Sequence, residues 1–105
     1  MLNWFSTKEV ERFADDLASE FHRRFPAAEI AREDPQSESR LRGARDLMMS
    51  RTQVFSERHK LNIFKRAKLA NTLKWKLREL NYDEKTTDSL VYEVVRIVTL
   101  IRTSR

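Results

Sequence analysis

Residues 6–26 have the sequence STKEVERFADDLASEFHRRFP, and this stretch decides the class of fold. Its apolar side chains recur every three or four residues, a spacing that places them on one stripe of an α-helix. Pro26 lacks an amide proton and disfavours a helical conformation for the residue before it. An amphipathic helix is therefore predicted over about residues 6–25, and its buried stripe consists of Val10, Phe13, Ala14, Leu17, Ala18, Phe21 and Phe25.

The beginning of this helix carries two further signals. Ser6 and Glu9 have the spacing of a capping box, and Phe5 and Val10 that of a hydrophobic staple. Carboxylates crowd the side opposite the phenylalanines, together with arginines that suit pairing within the helix. We interpret that side as a solvated face rather than a cation site, and its acids are Glu9, Glu11, Asp15, Asp16 and Glu20.

A second helix is predicted to begin at Asp34-Pro35, where an aspartate N-cap precedes a proline at the first helical position. Residues 26–34 form the connector, with room for one helical turn at 28–31. The predicted buried face of this helix carries Leu41, Ala44, Leu47, Met48, Val54 and Phe55. Gly43 lies inside the pattern, either as a tolerated glycine or as a point of close approach between helices.

The segment 56–62 is ambiguous, because the apolar phase slips there and either a turn or continuous helix fits. A third stripe follows and ends near Asn81, and it comprises Ile63, Ala67, Ala70, Leu73, Leu77 and Leu80. Asp83 is the predicted N-cap of a last helix, at about 84–103. Its many β-branched residues favour a strand, but its polar residues recur every third position, so we predict a helix.

These elements predict an all-α fold: one helical domain over residues 1–105, built as a small bundle of four helices. If the segment 56–62 stays helical, the second and third helices merge and the bundle has three. One glycine and two prolines are too few for the tight turns of a sheet protein. A merged long helix would favour completion by a second copy, so a homodimer is an alternative to the monomer.

Nothing in the sequence carries an enzyme motif. The absence of cysteine excludes disulfides and thiolate chemistry, and a single glycine cannot form a phosphate-binding loop. His22 and His59 lie on different predicted helices, with no histidine at metal-ligand spacing. We therefore predict a non-enzymatic protein, with no catalytic residue, cofactor, metal ion or small-molecule substrate identified.

The sequence also gives an expectation about location. No apolar stretch approaches the roughly 20 residues of a membrane span. The apolar residues near the beginning of the sequence are too few for a signal peptide and lack its basic start. A cytoplasmic location is therefore expected.

One segment stands out by its charge. Residues 58–80 contain eight basic residues and one acid, a net charge of +7, whereas the whole chain has a net charge of +5. Like charges at this density repel one another unless negative charge offsets them. Lysines bind phosphates, and aromatic rings interleaved with them stack on unpaired bases, both with little sequence preference. The predicted phosphate contacts are Arg58, Lys60, Lys65, Lys68, Lys76 and Arg78, and the predicted stacking residues are Phe64 and Trp75.

Several alternatives remain open for this segment. Phe64 and Trp75 could belong to the core, the acidic face of the first helix could neutralise the lysines, or the lysines could simply keep the surface solvated. Arg66 and Lys74 are predicted to extend outward from the apolar side. The resulting hypothesis is a self-associating binding protein whose basic helix, at about 58–80, engages an acidic partner such as nucleic acid or an acidic protein.

Two further classes of function compete with that hypothesis. One is a protein-interaction module with no affinity for nucleic acid, using the wide apolar arc of the last helix, with Tyr92 and Leu100 outside it. The other is a basic amphipathic helix lying on an anionic membrane surface. For the nucleic-acid hypothesis, the sequence predicts that changing Lys65, Lys68 and Lys76 to glutamate abolishes binding and leaves helical content intact.

Overall fold

The structure is a computed structural model that describes the backbone of residues 7–103 and the side chains of residues 7–100. Within these residues it contains four α-helices, one short 3-10 helix and no strand. The all-α prediction and the bundle of four helices are thereby confirmed. The helices are α1 (Thr7–Arg24), α2 (Pro35–Arg58), α3 (Ile63–Glu79) and α4 (Glu84–Thr103), with the 3-10 helix at Ala27–Ala31.

The first helix ends where proline requires it to end. The backbone N–H of Phe25 still donates to the Phe21 carbonyl, and Pro26 then turns the chain into the 3-10 helix. The apolar stripe predicted for α1 is buried, apart from Phe13, which is partly buried. The predicted Ser6 cap and Phe5 staple lie outside the described residues.

The second helix begins with the predicted cap. The Asp34 carboxylate accepts a hydrogen bond from the backbone N–H of Ser37 at 2.7 Å, and Pro35 occupies the first helical turn. That hydrogen bond holds the pKa of Asp34 below its usual value. The helix ends at Arg58, with the His59 N–H donating to the Phe55 carbonyl.

The helices α2 and α3 are separate, which settles the ambiguity of the segment 56–62. Asn62 is the N-cap of α3, and its side-chain oxygen accepts a hydrogen bond from the Lys65 N–H at 2.9 Å. Leu61, just before this cap, is buried in the core. The chain therefore turns between His59 and Asn62, so four helices result rather than three.

The connection between α3 and α4 has the hydrogen bonds of a Schellman motif. The Tyr82 N–H donates to the Leu77 carbonyl at 3.1 Å and the Asn81 N–H to the Arg78 carbonyl at 2.9 Å. Asn81 has a φ of 77°, a left-handed conformation that asparagine tolerates better than most residues. The helix end therefore depends on an asparagine where glycine is more common.

The predicted N-cap of the last helix is also present. Asp83 accepts hydrogen bonds from the hydroxyl and the backbone N–H of Thr86, and these lower the pKa of its carboxyl. The N–H of Thr87 in turn donates to the Asp83 carbonyl at 2.9 Å. The β-branched segment is helical, as its polar periodicity predicts.

The four helices surround one core. The helix α1 packs against α3, α3 against α4, α4 against α2 and α2 against α1. Tyr82 closes one end of this arrangement, because its hydroxyl donates a hydrogen bond to the Phe25 carbonyl while its ring packs edge-on against Phe21. The largest fully buried side chains besides these are Leu17, Leu69, Leu73, Leu77, Leu90, Val10, Val94, Val98 and Thr52.

Some predicted core positions are wrong. Val54 and Ile63 are exposed, at 48% and 65% of their accessible surface, and Ala67 is exposed as well. The polar residues Thr52 and Ser56 are buried instead, and the Thr52 hydroxyl donates to the Met48 carbonyl at 2.8 Å. That hydrogen bond removes the penalty of burying a hydroxyl, so a polar residue can take a core position that a hydrophobic pattern does not reveal.

Gly43 is not a point of close helix approach. The residue is exposed, its φ is not positive, and a Cβ built on it meets nothing within 4 Å. The close-approach interpretation is therefore wrong, and the alternative of a tolerated glycine fits the structure.

Candidate functional site

The two aromatic residues predicted to stack on bases lie on the outer side of α3. Phe64 is 79% exposed and Trp75 is 68% exposed. They are eleven residues apart, which is about three turns and about 16 Å along the helix, so they project in the same direction. The alternative that places both rings in the core is therefore wrong.

The cations around these rings differ from the predicted set. Lys60, Lys74 and Arg78 are exposed. The prediction that Lys74 lies on the apolar side of the helix is therefore wrong. From Arg58 to Arg78 the sequence contains no acidic residue. We define the aromatic face of α3 by Phe64 and Trp75 together with these three cations, Lys60, Lys74 and Arg78.

Lys65 is a correction to the predicted site. It is only 8% exposed and lies one turn before Leu69, on the side of α3 that faces the core. A lysine in this position can extend its methylenes through the core boundary, but it is not part of the outer surface. It therefore does not belong to the aromatic face.

Lys68 and Lys76 are directed toward the acids of α1. The Lys68 ammonium lies 2.9 Å from a Glu11 carboxylate oxygen, and the Lys76 ammonium lies 3.8 Å from Asp15. The hydrogen bond and the charge of Lys68 lower the pKa of Glu11. The acidic side of α1 thus offsets two of the predicted phosphate contacts, as one alternative proposed. Both pairs are solvent-exposed, so a competing anion can displace them.

Arg58 and Arg66 have surroundings other than the aromatic rings Phe64 and Trp75. Arg58 ends α2 and lines a groove between α1 and α2. Arg66 is partly buried toward α4, where its guanidinium donates to the Thr99 hydroxyl at 3.3 Å, in agreement with the prediction that it extends from the apolar side. Because Arg58 lines the groove between α1 and α2, we leave it out of the site. The site consists of Phe64, Trp75, Lys60, Lys74 and Arg78, with Lys68 and Lys76 at its margin.

Of the residues in this site, sequence reasoning missed only Lys74. The signal was available, because Lys74 precedes Trp75 directly and lies one turn from Arg78. A helical wheel places it near the edge of the outer side, and the exact direction of the core decides which side of that edge it takes.

Both histidines contact aromatic side chains. The Nδ1 atom of His22 lies 3.3 Å from the Tyr82 hydroxyl, and the His59 ring packs at a tilt against Phe55 with ring centroids 4.7 Å apart. Across the described residues, no group of three or more His, Cys, Asp or Glu side chains could hold a metal ion. No helix in the described part of the chain is long and apolar enough to cross a membrane.

Comparison with known proteins finds no matching family model, no similar curated protein and no matching solved structure.

Proposed function

We propose that this chain is a non-enzymatic binding protein whose aromatic face of α3 binds single-stranded nucleic acid with little sequence preference. The observation that carries the proposal is the exposure of Phe64 and Trp75 on a stretch of helix with no acid. A cytoplasmic location and assembly into homo-oligomers are parts of the same proposal. The cysteine-free sequence is compatible with a reducing compartment.

The chemistry of the face matches that of an unpaired strand. Exposed aromatic rings offer flat surfaces on which bases of any identity stack, and lysine and arginine neutralise the phosphates. Phe64 and Trp75 are about 16 Å apart along the helix. Successive phosphates of one stacked strand are about 3.4 Å apart, so this distance spans about five phosphates. A short segment of strand can therefore reach both rings.

A protein partner is the second candidate, and a specific observation favours it. Lys68 and Lys76 are already paired with Glu11 and Asp15, which lowers the free positive charge. Ile63, next to Phe64, is 65% exposed and adds apolar surface that a nucleotide strand does not need. An interaction module with an acidic protein as partner, and no affinity for nucleic acid, would use the same face.

Fluorescence anisotropy of labelled oligonucleotides separates the two candidates. We expect single-stranded oligonucleotides to bind more tightly than duplexes of the same length. Neutralisation by Lys60, Lys74 and Arg78 predicts a slope of about −2 for the logarithm of the binding constant against the logarithm of salt concentration. Absence of binding at low salt would refute the nucleic-acid proposal and leave the protein partner.

Alanine substitutions test the aromatic rings. Phe64→Ala combined with Trp75→Ala should remove most of the affinity, since stacking contributes about 1–3 kcal/mol per base. Tyr92→Ala is the matched control, because Tyr92 is similarly exposed, at 67%, but lies on a different helix, α4. Equal affinity of the double variant and the control would contradict the proposal.

The charge test needs residues other than those chosen from sequence. Substituting Lys65, Lys68 and Lys76 with glutamate would bury a carboxylate and place acids beside Glu11 and Asp15. The triple variant of Lys60, Lys74 and Arg78 to glutamate avoids this problem and should abolish binding at unchanged helical content. Conversely, Glu11→Gln with Asp15→Asn should tighten binding and steepen the salt slope by about 0.7 for each lysine released.

A further inference from the structure

A groove between α1 and α2 shares no lining residue with the aromatic face. Its volume is about 490 Å³, and its lining is mainly apolar. The rings of Phe13 and Phe55 line it and stack on each other, with centroids 3.9 Å apart and planes within 4° of parallel. Val54 also lines it and is 48% exposed. An exposed apolar side chain such as Val54 is stabilised when a partner covers it.

The charged residues that line the groove have opposite signs on the two helices. Those from α1 are both acids, Asp16 and Glu20, whereas those from α2 are both bases, Arg51 and Arg58. Glu20 is already engaged, because the Arg51 guanidinium donates to it at 3.1 Å. Asp16 and Arg58 are exposed, and neither forms an ion pair with any side chain of the described residues 7–100.

We propose that this groove is the interface with a second copy of the chain, arranged so that α1 of each copy packs on α2 of the other. A two-fold axis parallel to the helices produces this arrangement and brings the acids of α1 over the arginines of α2. An axis perpendicular to the helices would instead place acid on acid and base on base. The charge pattern therefore selects one of the two symmetric arrangements.

The size of the face fits a reversible dimer. The 18 residues of α1 are about 27 Å long, and two helices side by side are about 20 Å wide. The footprint is thus on the order of 540 Å² per copy, about 1,100 Å² in total, near the lower limit of specific interfaces. Dimerisation should therefore depend on protein concentration.

This inference builds on the proposed self-association and does not depend on nucleic-acid binding by α3. Sedimentation velocity over a range of protein concentrations should show a monomer that converts to a dimer. Val54→Glu should prevent dimerisation while the monomer stays folded, because Val54 is half exposed and its glutamate would remain hydrated. Tyr92→Glu on α4 is the matched control and should dimerise like the wild type.

Charge reversal tests the geometry. Asp16→Arg and Arg58→Glu should each weaken the homodimer by about tenfold or more, because each places like charges together at two symmetric positions. A mixture of the two variants should form a heterodimer of near wild-type affinity. In that heterodimer the introduced arginine faces the introduced glutamate, and the unchanged Asp16 faces the unchanged Arg58. Pairing within one chain cannot produce this rescue.

Two results would overturn the proposal. One is a wild-type protein that stays monomeric at all concentrations, and the other is a dimer that Val54→Glu and both charge reversals leave intact. Phe64→Ala with Trp75→Ala should not alter the dimer, and Val54→Glu should leave binding of oligonucleotides by the monomer measurable. Loss of only one property therefore identifies which of the two proposals has failed.

Discussion

The helices α1 and α3 carry aromatic residues at helical spacing, yet they place them on opposite sides. In α1, Phe21 is 1% exposed and points into the core, with Phe25 directly after the helix at 2%. In α3, Phe64 and Trp75 are exposed to solvent. Both helices pack against each other in the same bundle, so the difference does not come from their positions in the fold.

The difference comes from what else each helix offers to the core. In α3, Leu69, Leu73 and Leu77 form a complete buried stripe and fill the space that faces α1 and α4. In α1, the corresponding stripe includes the small residues Ala14 and Ala18, so aromatic rings supply the missing volume. An aromatic residue on a helix is therefore committed to the core only where the aliphatic stripe leaves room.

Truncation of the buried Phe21 ring should have the largest effect on stability. Phe21→Ala should lower the free energy of unfolding by about 3–5 kcal/mol, because it removes buried surface and leaves a cavity against Tyr82. Urea denaturation followed by circular dichroism measures the loss. A decrease below about 1 kcal/mol would mean that the ring does not fill the core as described.

Loss of one hydroxyl should have a smaller effect. Tyr82→Phe keeps the ring but removes the hydrogen bond to the Phe25 carbonyl, which lies at the end of α1. Burial raises the pKa of the Tyr82 hydroxyl, so it stays protonated and donates at all ordinary pH values. We expect a destabilisation of about 1–3 kcal/mol, since a buried carbonyl is left unpaired. Tyr92→Phe, at an exposed hydroxyl, should leave the denaturation midpoint unchanged.

Much of the fold was predictable because short-range signals determine where helices begin and end. Pro26 ends α1, and Asp34 with Pro35 begins α2, as their chemistry requires. The break before α3 has an equally local cause in the Asn62 cap, but the apolar residues on both sides left continuous helix as an alternative. A cap signal is decisive only when the hydrophobic pattern does not compete with it.

The candidate site was less predictable, because its composition depends on packing angles that a helical wheel does not contain. The burial of Lys65 and the exposure of Lys74 both follow from the direction in which α3 faces its neighbours. The pairing of Lys68 with Glu11 requires knowing that α1 lies beside α3. Long-range adjacency of this kind is a property of the assembled bundle rather than of any one segment.

Replacement of the single glycine should stabilise the protein slightly. Gly43 lies in the interior of α2, exposed and with space for a side chain. Gly43→Ala should raise the free energy of unfolding by about 0.5–1 kcal/mol, because alanine loses less conformational entropy when the helix forms. Thermal denaturation measures the gain, and a lower melting temperature would revive the interpretation that a neighbouring segment approaches this position.

The smallest effect on stability should come from removing the exposed Trp75 ring. This substitution tests the difference between α1 and α3 most directly. Trp75→Ala should change the free energy of unfolding by no more than about 0.5 kcal/mol, because the indole contributes little buried surface. The same substitution should weaken oligonucleotide binding by about 1–3 kcal/mol if the ring stacks on a base. Urea denaturation and anisotropy on one preparation measure both quantities.

A destabilisation well above 1 kcal/mol would show that Trp75 supports the fold, as Phe21 does. The aromatic residues of α1 and α3 would then not differ in role. A ring that matters for binding and not for folding is the pattern that an interaction surface requires.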